Sequence, residues 1–552
     1  MATTKPKAKF FTHSRSCTPE PTLLSPDDQP YTNRDYDEKS DSGDSQTVQE
    51  GDIDAVFRGV GLLSDEVYAK NLGPWRAGFR QWVVRSVQWE SNVLGRMQQL
   101  IRTPFLDAYF VYTSSLGTHT FFMTVLPAFY FFGYDAFGRG LLLVLAFGVY
   151  LASFLKDLIC APRPYAPPVA RLTIGDHHLE YGFPSTHSTN SMSIALQLFT
   201  AAYTLYTTPA TQTAAFSAAV NSTLTLPTED ILVPETMLSR GWFMIASGVL
   251  GFYIFSIVFG RLYTGMHSFT DCVVGILLGV FIWAVHFFFG NAMDNWVANA
   301  GWIVPATIIP LSLLLVHRHP QPVDDCPCFE DAIAFISVAM GQYLTRWVMG
   351  RYQLDQKYLS VPMPGHPLGS WSDASTWWTI AIMKMITGVL AIFAWRFFAK
   401  FLMHRILPPI FRFLAQLFTL PRRRFYTPAT DYKNVPAEKG LRAIPSVIDF
   451  GSGGDFEIDG IGASTAHSKE LSHGQGRQIK LRKGGSKLEK SPLSYGDSFL
   501  GLEELGGKEV EVVKHYDADV LTKVFVYCGI AVVATGVMPV VFAIIGWGLV
   551  TN

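Results

Sequence analysis

The chain has 552 residues, of which 49% are hydrophobic, 14% aromatic and only 16% charged. So little charge argues against an ordinary soluble protein and suits one that lies largely in lipid. A formal net charge of -1 hides an acidic stretch from Arg34 to Asp54 and a basic late region (Arg422, Arg423, Arg424, Lys480, Arg482, Lys483, Lys487). The basic residues sit in flexible sequence beside membrane spans, which argues against nucleic acid as a partner.

In chain order, residues 1–74 read as a disordered N-terminal tail, rich in Pro, Ser, Asp and Thr. The opening MATTKPKAKFFTHSRSC carries positive charge but no apolar core long enough for a cleaved signal peptide, so insertion is expected to depend on the first span. Over residues 75–104, Trp75, Phe79, Trp82, Val83, Val87, Trp89, Leu94 and Met97 alternate with five arginines, the pattern of an amphipathic helix on a membrane surface. Crossing a bilayer takes roughly 20 apolar residues. Spans are therefore expected near Thr118 to Tyr134 (extended upstream by Phe105 to Leu116), Gly140 to Leu155, Ser188 to Tyr206, Gly241 to Phe259, Asp271 to Gly290, Trp296 to Val316, Phe329 to Trp347 and Trp377 to Phe398. Residues 401–519 read as a basic, largely disordered segment, and a last transmembrane helix falls within 520–552, near Leu521 to Leu549. The expected fold is all-α: a polytopic transmembrane helical bundle with disordered tails, in contact with the bilayer and compatible with a homo-oligomer.

Strict alternation of the spans puts the loops Lys156 to Pro184 and Gly260 to Thr270 on one side, and Thr207 to Arg240 and Asn291 to Asn295 on the other. Three distant strings then share one surface: KDLICAPRP, YGFPSTH and GRLYTGMHSFTD. Lys156 ends the second span, and Pro162 and Pro164 stop the helix so that Arg163 turns back toward the surface. Lysine offers a point charge and arginine a fork for two phosphate oxygens; a lone pair of this kind could equally anchor a helix end. Ser185 or Thr186 can cap the third span, whose N-terminus makes an anion seat, and His187 beside it is placed as a general acid or base. His267 and Asp271, four apart, share a helical face where the carboxylate can orient the ring, and Arg261 lies six residues earlier. Each string alone fits a structural role. Together they supply what cleaving a phosphate monoester without a metal or other cofactor requires.

Other signals are weaker. The six cysteines are scattered and form no disulfide framework. HRHPQPVDDCPC, with His317, His319, Cys326 and Cys328, matches none of the usual structural zinc spacings. His177 and His178 read as loop residues, and Asn221-Ser222-Thr223 is a glycosylation sequon on the face opposite the motifs.

KDLICAPRP, PSTH and RLYTGMHSFTD resemble the three signature motifs of the type 2 phosphatidic acid phosphatase superfamily, which also holds the vanadium haloperoxidases. EYGFPSTHSTN and DDCPCFEDAIAF narrow the resemblance to its long-chain-base-phosphate (sphingosine-1-phosphate) phosphatases, over about Trp75 to Phe398. Two departures stand out: Gly260 replaces the usual serine, and LGTH at Leu116 to His119 replaces a Gly-Asn pair. The resemblance implies a lipid phosphatase domain over residues 105–400 and hydrolysis of sphingoid-base phosphate lipids. His267 would be the nucleophile giving a phosphohistidine, Asp271 its orienting partner and His187 the acid and base. Lys156, Arg163, Ser185, Thr186 and Arg261 would hold phosphate, with no metal. It further implies a multi-pass protein of the endoplasmic reticulum with a lumenal site, whereas the arginines before the first span favour a cytosolic one. Rival expectations are a phosphatase of phosphatidate or diacylglycerol pyrophosphate, a non-catalytic lipid-binding membrane protein, and a vanadate-dependent oxidase. The acidic Asp324, Asp325, Glu330 and Asp331 offer partners to a sphingoid ammonium if they approach the same face.

Overall fold

The computed structural model describes residues 59–115, 119–172, 180–208, 237–366, 369–430 and 515–550. His177, His178, the sequon at Asn221 and most of both expected tails lie outside these residues. The helices are α1 (Asp65–Asn71), α2 (Pro74–Ile101), α3 (Pro104–Ser115), α4 (His119–Phe131), α5 (Asp135–Ile159), α6 (Thr186–Thr207), α7 (Arg240–Tyr263), α8 (Phe269–Asn299), α9 (Ile303–His317), α10 (Cys328–Arg351) and α11 (Trp371–Leu417). After them come a two-residue parallel pairing of β1 (Tyr426–Thr427) with β2 (His515–Tyr516), then α12 (Asp517–Val532) and α13 (Met538–Ile544), joined by a π-turn.

The sequence marks several of these helix ends. Ser185, Ser239 and Ser370 cap α6, α7 and α11, each accepting a first-turn backbone N–H, and Ser268 with Asp271 forms a capping box on α8. Asp135 and Lys156 place opposite charges at the ends of α5 that suit the helix dipole.

Five segments among the described residues are long and apolar enough to cross a membrane: α5, α7, α8, α11 and α12–α13. Large apolar side chains such as Trp242, Val249 and Phe252 on α7 and Leu277, Phe281 and Phe288 on α8 are exposed, as a lipid-facing surface requires. Helices α5, α6, α8 and α10 pack centrally, with α7 on α6 and with α12 and α11 beyond α10. Their core joins Val144, Leu145 and Val149 to Ile194, Ile282 and Phe335. Helix α10 is not one of those five segments, and several of its polar groups are paired inside the protein: Gln342 accepts from Tyr130, Arg346 bridges Asp294 and Asp355, and Glu330 pairs with Lys523.

Three boundaries depart from expectation. The loop expected at Asn291 to Asn295 does not exist, since α8 runs on to Asn299; Asp294 is held there by Arg139 and Arg346. The first expected span is two helices, α3 and α4. The tails are shorter than read: Tyr68 and Leu72 of the expected N-terminal tail are buried, and α11 continues through Pro408 and Pro409 to Leu417. Among the described residues one disulfide, Cys326–Cys328, joins near neighbours, a local staple rather than a framework.

Candidate active site

The C-terminal ends of α5 and α7 and the N-terminal ends of α6 and α8 meet, as the parity of the spans requires. Helix α2 lies across this end. Arg76 donates to the carbonyls of Asp157 and Leu158, and Arg80 to that of Cys160, so two of the expected interfacial arginines cap the end of α5. Glu90 of α2 accepts from the Thr270 N–H at 3.0 Å and also from the Thr270 hydroxyl, which fixes the start of α8.

Beyond Lys156, Cys160 turns the chain in a left-handed conformation, φ 56°. The Gly182 N–H then donates to the Ala161 carbonyl at 2.9 Å. A Cβ on Gly182 would lie 2.6 Å from the Pro162 carbonyl oxygen, so only glycine lets the first two motif loops touch. Similarly, a Cβ on Gly275 of α8 would lie 2.7 Å from the Ser185 carbonyl oxygen, which lets α8 seat closely against the start of α6.

Arg163 is the hub. Its Nη1 donates to the Met266 carbonyl at 2.9 Å and lies 3.5 Å from His267 Nε2, while Nε donates to the Glu180 carbonyl at 3.0 Å. The Glu180 carboxylate bridges Lys156 Nζ (2.8 Å) and Arg163 Nη2 (3.3 Å). Arg261, in the last turn of α7, is buried and has no partner on Nε; Thr186 Oγ1 is likewise buried and unpartnered. These open donors suit an anion of several oxygens. Ser185 is fully buried, accepts from the Ser188 N–H and donates its own N–H to the Asp271 carbonyl. His187 occupies the second position of α6, half-buried.

His267 Nδ1 contacts the Gly182 carbonyl at 2.9 Å, so that nitrogen carries the proton and Nε2, on the Arg163 side, keeps its lone pair. The Gly182 carbonyl is thus a second group placed to orient the ring, beside Asp271. The Asp271 carboxylate is 3.7 Å from Nδ1 and accepts from the Ser268 N–H at 2.8 Å. Burial, followed by the charges of Arg163, Lys156 and Arg261, holds the His267 imidazole well below its usual range and hence neutral.

The structure thus brings together Lys156, Arg163, Arg261 and His267, with Ser185 and Asp271 joined beside them. Sequence reasoning passed over Glu180 as a ligand of two cations, although an acid at the head of EYGFPSTH was the available signal. It also passed over the Gly182 carbonyl, which carries no residue-type signal. Among the acids considered for an ammonium, Asp324 accepts from both Tyr68 and Tyr181, and Glu330 is paired with Lys523 and His515. His319 pairs with Asp157 at 2.9 Å, separate from His317.

Gly260 carries a prediction. A Cβ there would meet the Phe110 ring at 3.0 Å, so the missing serine side chain would press on Phe110. Gly260→Ser is expected to cost roughly 1 to 3 kcal/mol by overpacking, read as a lower thermal midpoint in detergent. Phe110 is itself buried against Phe259 and Tyr263, so the expected control is that Gly260→Ser costs little further stability in a Phe110→Ala background; a serine variant as stable as the parent, with raised activity, would show that the hydroxyl serves phosphate instead.

The PAP2 superfamily matches residues 137–294, from α5 through most of α8. A dihydrosphingosine 1-phosphate phosphatase of Schizosaccharomyces pombe is 32% identical over 396 residues, covering 71% of this chain and 83% of the relative. One from Saccharomyces cerevisiae is 32% identical over 50% of this chain and 60% of its own length. Sphingosine-1-phosphate phosphatase 2 of Mus musculus is 24% identical, covering 49% and 66%. No solved structure matches the chain.

Proposed function

This chain belongs to the long-chain-base-phosphate phosphatases of the PAP2 superfamily, phosphoric monoester hydrolases of the membrane, and from that premise we propose that it hydrolyses sphingoid-base phosphates to free base and phosphate. The observation that carries the reading is the convergence of Lys156, Arg163 and Arg261 on a neutral, buried His267 whose proton is tied to a backbone carbonyl.

In this reading Nε2 of His267 attacks phosphorus, a P–N bond forms, and the P–O bond to the base breaks. His187 gives its proton to the leaving alkoxide. It then takes one from water, whose oxygen attacks phosphorus as the P–N bond breaks, releasing phosphate and freeing His267 Nε2. Lys156, Arg163 and Arg261, with Ser185 and Thr186, hold the phosphoryl oxygens as charge shifts among them. Asp271 and the Gly182 carbonyl keep the imidazole aligned.

Helix α2 carries Trp75, Trp82 and Trp89 at seven-residue spacing, all exposed, and lies in this reading at the head-group level beside the site. A lumenal site in the endoplasmic reticulum is compatible with its arginines: Arg80 pairs with Asp65 and Arg102 with Asp107, and Arg76 caps α5, so they add less free positive charge than their number implies.

Protein cations stand in this reading where a metal would otherwise act, and vanadate mimics five-coordinate phosphorus. Phosphate release from dihydrosphingosine 1-phosphate, phytosphingosine 1-phosphate and phosphatidate in mixed micelles is the test. Activity is expected to survive EDTA, to be blocked by vanadate, and to favour the sphingoid substrates. Loss on chelation with recovery by magnesium or zinc would refute the mechanism, and equal hydrolysis of phosphatidate would refute the substrate.

A further inference from the structure

The Glu180 carboxylate lies against the two cations assigned to phosphate, Lys156 and Arg163. A substrate phosphate must share or take those cations, and its arrival releases the carboxylate from them. The Glu180 main chain meanwhile stays fixed through its carbonyl, which accepts from Arg163 Nε at 3.0 Å. The Glu180 side chain is thereby kept beside the two cations assigned to phosphate.

A second carboxylate is close by. Asp331, in the first turn of α10, is 8% exposed and its Oδ1 has no hydrogen-bond partner; burial and then the charge of Glu180 raise its carboxyl well above the usual range, so that an arriving cation is what would ionise it. One turn along the same helix face, Ala334 and Phe335 line an apolar cavity with Leu142, Leu145 and Ile530. Cations, acids and an apolar space therefore follow one another along α5 and α10. That is the order of groups in a chain that carries a phosphate at one end, an amine one O–C–C bridge away, and a hydrocarbon tail.

We propose that Glu180 and Asp331 form the subsite for the substrate ammonium, with Glu180 exchanging its Lys156 and Arg163 partners for that cation when phosphate binds. The assignment rests on the phosphatase reading and adds a determinant of specificity to it. It explains how one site can hold phosphate and prefer a zwitterionic head. Asp324 and Glu330, which have their own partners, are left to structural roles.

The test uses the full chain in mixed micelles with sphinganine 1-phosphate and octadecyl phosphate, which differ at the head group chiefly in the amine. The parent should prefer the amine substrate in kcat/KM. Glu180→Gln is expected to cut that preference about tenfold or more, the worth of a charge-assisted hydrogen bond, and to improve octadecyl phosphate turnover as competition for the cations ends. Asp331→Asn should cut the preference in the same direction without that improvement, and vanadate inhibition reports an intact phosphate site in both. An unchanged preference in both vanadate-sensitive variants, or an equal fall for both substrates, would overturn the subsite while leaving the phosphatase reading in place. A parent that hydrolyses neither substrate would overturn the phosphatase reading and the subsite with it.

Discussion

Replacing His267 with alanine is expected to reduce turnover by about four orders of magnitude or more, the scale seen when a covalent nucleophile is removed, and to abolish any alkali-stable, acid-labile trapping of labelled phosphate on the protein, the stability pattern of a P–N bond. The imidazole is fully assigned by its neighbours: Nδ1 gives its proton to the Gly182 carbonyl, and Nε2 faces Arg163. The same cations and burial depress its protonation, so the nucleophile should stay competent as pH falls through the ordinary imidazole range near ~6.5. The acid limb of the rate profile should lie below that value. A variant that retains turnover within a few-fold of the parent, or still traps phosphate, would remove His267 from the role and leave His187 as the alternative nucleophile.

The motif residues were legible because their chemistry demands particular residue types at ends of apolar runs, and because an odd or even number of spans decides which ends share a side. Lys156, Arg163, Arg261 and His267 were found in this way and converge as parity requires. What escaped falls into two kinds. Backbone groups carry no sequence signal, so the Gly182 carbonyl beside His267 Nδ1 was not legible. Charged residues that pair across the bundle distort hydropathy: Asp294 with Arg139 and Arg346 made α8 look broken near Asn291. The arginines of α2 are a related case. Their spacing fits a surface helix, yet Arg76 and Arg80 are engaged with the end of α5. A sidedness rule that counts positive charges cannot distinguish these from arginines in water.

Arg163→Lys should lower kcat/KM by about a hundredfold to a thousandfold, the range for removing a preorganised donor aimed at developing charge. The substitution keeps the positive charge, so a purely electrostatic role would show a much smaller loss. The guanidinium, however, makes separate bonds with separate nitrogens: Nε to the Glu180 carbonyl, Nη1 to the Met266 carbonyl, and Nη2 to the Glu180 carboxylate. One ammonium cannot reproduce that planar spread. Two of the bonds tie the second and third motif loops to the first, so lysine should also loosen His267 relative to Lys156. The loss is therefore expected in kcat as well as KM, accompanied by weaker inhibition by vanadate, because transition-state contacts and loop alignment fail together. A rise in KM alone, with kcat and vanadate affinity preserved, would make Arg163 a ground-state binding residue and shift the burden of transition-state charge to Lys156 and Arg261.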